Sequence, residues 1–269
     1  PRIYYGEETT DYVIVNSNTK ELDYQAANEG SPRSISYSDL NGLGGVPVGS
    51  FIRRAAYAWQ FADINIMITG EINPKSRIQY RREVQERISA VAPFLLLDED
   101  PYIVAAEGGL FWIQDAYTFT DRFPYSDPLP EGFNYVRNSV KVVVDAFHGT
   151  MTFYVWDLGD PLVATYMKMF PSLLVSKEQM PESLSSHVRY PQDLFSFQAS
   201  KYLRYHMTEP QDFYNLEDIW SIPREKFGQS GELQPVLPYY VIMKMPGEDR
   251  EEYVLLLPYT RNEPNPIMA

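Results

Sequence analysis

Apolar and polar positions alternate with a period of two in four pairs of short runs, and turn-forming residues join each pair. Residues 12–16 and 21–24 flank Ser17-Asn18-Thr19-Lys20. Residues 102–106 and 110–117 flank Glu107-Gly108-Gly109. Residues 140–146 and 151–156 meet near His148-Gly149, and residues 239–245 and 252–257 meet at Pro246-Gly247-Glu248-Asp249. Each pair predicts a β-hairpin, because β-branched and aromatic runs favour strands and these turn residues accept tight geometry.

Between these runs the period lengthens to that of a helix. Asn73 followed by Pro74 predicts a capped first turn, Pro93 predicts the end, and Tyr80, Val84, Ile88, Val91 and Leu95 predict the buried stripe. Residues 48–61 predict an earlier helix that buries Phe51, Ile52, Ala55 and Trp59 and turns Arg53 and Arg54 elsewhere. Asp160-Pro161 opens a helix that ends before Pro171, and further helices are expected over 191–207 and 211–220. Hairpins with helices between them indicate an α+β fold with several antiparallel β-hairpins and intervening helices, not a parallel doubly wound sheet. Residues 25–45 and 120–134 are long connections, hence mobile or functional. A chain of 269 residues has room for one large domain or two lobes, 1–134 and 135–269.

Composition narrows the classes. Net charge is −13, which argues against nucleic acid as a partner. The charge is uneven: residues 51–97 carry seven Lys/Arg against four Asp/Glu, whereas residues 98–269 carry thirteen against twenty-five. The basic island holds Arg53, Arg54, Lys75, Arg77, Arg81, Arg82 and Arg87. It is either a solvated face with pairs such as Arg82–Glu86 and Glu83–Arg87, or a surface for anionic lipid or an acidic partner. With no Cys, disulfides, thiolate catalysis and Cys-ligated zinc are excluded. No run of 18 apolar residues occurs, so no transmembrane helix is expected within these residues. The chain opens on Pro1 rather than Met, as expected of a start inside a longer protein.

Candidate chemistry is sparse. The stretch from Gly42 to Ser50 has phosphate-loop glycines at Gly44 and Gly49 but lacks the lysine that neutralises the terminal phosphates. A flexible entry into the next helix, or a weak anion site at its N-terminus, fits better. Of the three histidines, His148 falls in a hairpin turn. His187 and His206 converge with Asp212 only if the intervening helix folds back, and would then hold a metal with an open position. Asp98-Glu99-Asp100 and Asp157-Leu158-Gly159-Asp160 are acidic turns without the calcium-loop pattern, and Asp160 suits a helix cap. No cofactor is called for, and no G-x-S-x-G elbow occurs.

Three long blocks carry a resemblance. The first is "GGVPVGSFIRRAAYAWQFADINIMITGEINPKSRIQYRREVQERISAVAPFLLLDEDPYIVAAEGGLFWIQDAYTFTDRFPYS", the second "NYVRNSVKVVVDAFHGTMTFYVWD", and the third "HVRYPQDLFSFQASKYLRYHMTEPQDFYNLEDIW". Together they resemble uncharacterised protein family 0182, multi-pass bacterial membrane proteins, with cyanobacterial members most alike. The resemblance implies several membrane helices followed by a large extracytoplasmic domain, periplasmic or extracellular, of which this chain is an internal part. It brings no activity and no catalytic residues.

The expectation is therefore a non-catalytic extracytoplasmic binding or interaction domain. Its partners would be its own transmembrane region, anionic lipid or an envelope protein, met through Arg53, Arg54, Arg81 and Arg82 or through residues 120–134. The alternatives are an envelope hydrolase or metal-dependent enzyme built on His187, His206 and Asp212, and the docking part of a transporter or assembly complex.

Overall fold

In the computed structural model, which describes residues 2–24, 33–40, 42–228 and 231–261, Glu107 and Gly108 both take positive φ, 51° and 77°. This is the primed turn whose twist matches that of paired strands. It closes the expected second hairpin, between strands Tyr102–Ala106 and Gly109–Thr120. The third hairpin also forms, with Tyr135–Asp145 against Met151–Val155. Its turn is held by the Asp145 carboxylate, which accepts the N–H groups of Phe147 (2.8 Å) and His148 (2.9 Å). The fourth pairs Tyr239–Lys244 with Glu251–Leu256. The fold is α+β, with several antiparallel sheets and helices between them.

The chain forms two compact units that interleave along the sequence. One comprises Pro1–Leu97, Pro101–Thr118 and Ser139–His187; the other comprises Asp98–Asp100, Phe119–Asn138 and Val188–Ala269. The first is built on a six-stranded sheet in the order Leu174–Ser176, Met151–Val155, Tyr135–Asp145, Gly109–Thr120 and Leu96–Leu97, with Tyr102–Ala106 also paired to Gly109–Thr120. Only Leu174–Ser176 runs parallel to its neighbour, reached through the crossover helix Pro161–Met169. One core gathers Trp112, Ala116, Val140, Val142, Val144, Phe153 and Val155 from the sheet with Val84, Ile88 and Val163 from two helices. Buried polar groups also occupy the sheet, among them Asp115, Lys141, Thr118 and Ser139.

Two sequence expectations in this unit are corrected. Val13–Val15 does not pair with Glu21–Tyr24. It pairs with Arg77–Gln79, while Glu21–Tyr24 pairs with Arg33–Ile35. Asn16 takes a positive φ of 57° and turns the chain away, and its carbonyl accepts Asn73 Nδ2 (2.9 Å) and Ser76 Oγ (3.0 Å). Val15 thereby becomes 1% exposed, burial that a local hairpin lacks the partners to provide. Likewise no helix starts at Asn73, whose side chain accepts the Lys75 N–H (2.8 Å) in a tight turn leading into Arg77–Gln79. The helix is Val84–Val91, capped by the Glu83 carboxylate on the N–H groups of Gln85 and Glu86. The expected pairs Arg82–Glu86 and Glu83–Arg87 do not form, because residues 81–83 precede the helix. Arg81 instead approaches Glu86 (3.8 Å).

In the second unit, helices Gln192–Tyr205 and Pro210–Asn215 replace the expected 191–207 and 211–220, the shorter one stopped by Leu216 in left-handed geometry. Residues 120–134 are tied down internally: the Asn134 side chain bonds Phe123 N, Phe123 O and Ser126 O, and Leu129 and Phe133 are buried. At the start of the long helix, Asp98 Oδ2 accepts the Asp193 N–H (3.0 Å) and Asp193 Oδ2 accepts the Glu99 N–H (2.9 Å). Burial, then the neighbouring Asp98 carboxylate, push the Asp193 carboxyl up to about 6. A value raised by folding means the native state holds the extra proton, so this group's stabilisation is full below about pH 4 and lost as pH rises through 6. Asp193→Asn is expected to remove that slope, which denaturation midpoints at pH 4, 5, 6 and 7 would read; an unchanged slope would count against it.

Candidate functional site

The helix Phe51–Phe61 is capped by Ser50, whose hydroxyl accepts the Arg53 N–H. Its buried side is not the expected one. Tyr57, Ala58 and Phe61 pack with Val48, Ile66 and Ile78, and the Phe61 ring stacks on Tyr12 at 4.7 Å. Phe51 is 72% exposed, Ile52 80% and Trp59 89%. The side carrying Tyr57, Ala58 and Phe61 meets the strands, and the apolar stripe of Phe51, Ile52 and Trp59 is left outside that contact. Ile64 and Ile68, at the following short helix Asn65–Ile68, are also exposed. Five large apolar side chains within 18 positions are therefore exposed, three of them on one side of the helix Phe51–Phe61.

The four arginines have divided roles. Arg54 is structural: its Nε donates to Ile66 O (3.0 Å) and its Nη2 to Thr69 O (2.6 Å), which fastens the short helix to the long one. Arg53 is exposed and donates to Pro47 O (3.2 Å). Arg82 donates to the carbonyls of Tyr4 (2.7 Å) and Asp11 (3.0 Å). Arg81 borders a cavity with Arg87 and Tyr5.

The proposed metal ligands have other partners. His187 Nδ1 lies 2.9 Å from Ser183 O. His206 stacks on Trp220 with centroids 3.9 Å apart, and its Nε2 is 3.7 Å from Asp218. Asp212 sits in the first turn of Pro210–Asn215 and its carbonyl accepts the Leu216 N–H. Among the described residues no three His, Asp or Glu side chains are grouped to hold a metal ion. The acidic turns are likewise occupied. Asp100 pairs with Arg189 (2.5 Å), Asp157 accepts the Gly159 N–H (2.9 Å), and Asp160 caps Pro161–Met169 as expected. The glycines that suggested a phosphate loop serve close packing: a Cβ on Gly44 would stand 2.5 Å from His148 O, and one on Gly49 2.6 Å from Pro74 Cα.

A groove of about 500 Å³ in the second unit is lined by Leu194, Phe197, Tyr202 and Tyr205, but its cation Lys201 is bound to Asp127 (2.7 Å). No helix among the described residues is long and apolar enough to cross a membrane.

Comparison with known proteins places the chain in a family. The chain is 47% identical over 268 residues to a UPF0182 protein of Pelotomaculum thermopropionicum, covering 99% of the chain and 29% of the relative. It is 48% identical to one of Microcystis aeruginosa, covering 100% and 28%, and 46% identical to one of Methanospirillum hungatei, covering 99% and 30%. The chain thus spans under a third of the length of these relatives. No solved structure matches it. The model described as "Uncharacterised protein family (UPF0182)" matches residues 1–269, and the chain belongs to that family.

Proposed function

We propose that these residues form a non-catalytic interaction domain on the extracytoplasmic side of a membrane protein. In this reading it rests the helix side made by Phe51, Ile52 and Trp59, together with the exposed Ile64 and Ile68, on the lipid surface beside the protein's own membrane-embedded part. The observation that carries the reading is that face, turned to solvent on a helix whose other side is packed. Lipid is favoured over a protein groove by charge. In a chain of net charge −13, the helix Phe51–Phe61 carries two Arg and no Asp or Glu. Trp and Phe at the headgroup level with Arg beside them are the chemistry of interfacial helices. Burying half the surface of the two exposed Ile after the helix, with Phe51 and Ile52, is worth roughly 3–6 kcal/mol. Such an energy suits an auxiliary contact in a protein held to the membrane elsewhere.

Vesicle flotation tests this. The domain is expected to float with vesicles containing phosphatidylglycerol and less with phosphatidylcholine alone. Phe51→Asp combined with Trp59→Asp should abolish flotation and leave the melting temperature unchanged, since both side chains are exposed. Arg53→Glu should weaken only the phosphatidylglycerol arm. Failure to float with either lipid would overturn the lipid contact, and co-purification of a protein through the same face would then identify a docking role.

A further inference from the structure

A cavity of about 230 Å³, which Val46 and Ile78 of the three-stranded sheet help to line, is also bordered by Tyr5, Tyr80, Arg81, Arg87, Val91 and Met151. Arg81 and Arg87 belong to its walls, Arg77 is tied to the lining through Gly45, and Arg82 follows Arg81 in the chain. Arg77 donates to the carbonyls of Gly44 (2.8 Å) and Gly45 (2.6 Å), and Gly45 is itself part of the lining. Arg82 is spent on the Tyr4 and Asp11 carbonyls. Arg87 donates Nε to Gly149 O (2.8 Å) and Nη1 to the carbonyls of Tyr80 and Arg81 (both 3.3 Å), and stands 4.6 Å over the Tyr5 ring. Carbonyl dipoles and a π face orient these cations without cancelling their charge. Among the described residues the one carboxylate in ion-pair range of any of the four is Glu86. It lies 3.8 Å from Arg81, with both side chains about half exposed.

Arg81 itself has φ 48°, a left-handed conformation that costs a non-glycine residue roughly 1–3 kcal/mol. Its guanidinium makes no hydrogen bond to the described residues beyond that loose approach to Glu86. A strained arginine with a largely unengaged guanidinium thus stands beside a fixed one on a cavity that Val91 and Met151 also line. We propose that this cavity is a binding site for a small tetrahedral oxyanion of the phosphate class, held by Arg81 and Arg87, as free phosphate or as the phosphomonoester of a lipid headgroup. The cavity admits a phosphate with little attached to it; Arg87, locked by backbone, presents charge without rearrangement, and Arg81 supplies the free fork. The site is independent of the lipid-facing helix side, because it needs no membrane.

The test is calorimetric titration of the protein at constant ionic strength with three probes: inorganic phosphate, short-chain phosphatidic acid below its micelle concentration, and chloride as control. Saturable binding of phosphate is expected, with a matching rise in melting temperature. Arg81→Gln should weaken it roughly 10–100-fold, as loss of charged hydrogen bonds does. Ala90→Glu, which places a carboxylate on the cavity lining without touching the core, should also weaken it and guards against a misfolded Arg81 variant. A response to phosphatidic acid alone, lost in both variants, would assign the site to the lipid headgroup. No saturable response to either probe, or binding unchanged in both variants, would overturn the proposal.

Discussion

Replacing Lys141 by Met is expected to destabilise the protein by about 3–5 kcal/mol, the cost of stranding a buried carboxylate. Lys141 and Asp115 are each 2% exposed at the side chain and form an ion pair between adjacent strands of the large sheet. The ammonium also lies 5.6 Å over the Trp156 ring. The attraction between the charges offsets their desolvation only while both are present, so removing one is costlier than removing both. The double substitution Lys141→Met with Asp115→Leu should therefore recover most of the loss. Urea denaturation followed by near-ultraviolet circular dichroism gives the comparison, with the midpoint falling and the slope preserved in the single variant. A single variant within 1 kcal/mol of the parent would show that other groups suffice to hold Asp115.

Asp160→Ala should cost about 2–4 kcal/mol. The carboxylate is fully buried and does three things at once. It caps Pro161–Met169 through the N–H groups of Leu162 (3.0 Å) and Val163 (3.4 Å), worth about 0.5–2 kcal/mol. It also accepts the hydroxyls of Ser139 (2.6 Å) and Thr118, groups costing about 1–3 kcal/mol if left buried without a partner. Asp160→Asn keeps a capping oxygen and should lose less than the alanine variant. Equal losses in the two would show that the charge, not the hydrogen-bond geometry, is what the site needs.

Both effects arise on elements whose existence was legible in the sequence. Asp160-Pro161 marked a helix start, and the runs carrying Asp115 and Lys141 were recognisable as strands of two hairpins. What was not legible is that strands 110–117 and 140–146 would lie side by side, so that Asp115 meets Lys141. A local pattern of alternation states which residues share a face of a strand, not which strand comes next to it. Candidate sites fared by the same rule. The arginines were noticed as a basic island, yet their division into Arg54 fastening a helix, Arg53 facing solvent and Arg81 bordering a cavity depends on contacts with residues far along the chain. Arg87 joined the site only because Gly149, 62 positions later, supplies its carbonyl. His206 was noticed, but its partners are Trp220 and Asp218 rather than Asp212 and His187, and spacing carries no signal for that choice.

By itself the sequence determined the three hairpins closed by short turns, the Asp160 cap and the α+β class, because tight turns and caps are settled by residues within a few positions of one another. The tertiary structure decided the rest. It took Val13–Val15 from its sequence neighbour and gave it to Arg77–Gln79, where Val15 is buried. It began the helix expected from Asn73 only at Val84, after the Glu83 cap, since Arg77–Gln79 forms a strand paired on both edges. And it turned Phe51, Ile52 and Trp59 outward. The apolar stripe Phe51, Ile52, Ala55 and Trp59 is legible in the periodicity of that helix, but the neighbours Val48, Ile66 and Ile78 pack against Tyr57, Ala58 and Phe61 instead.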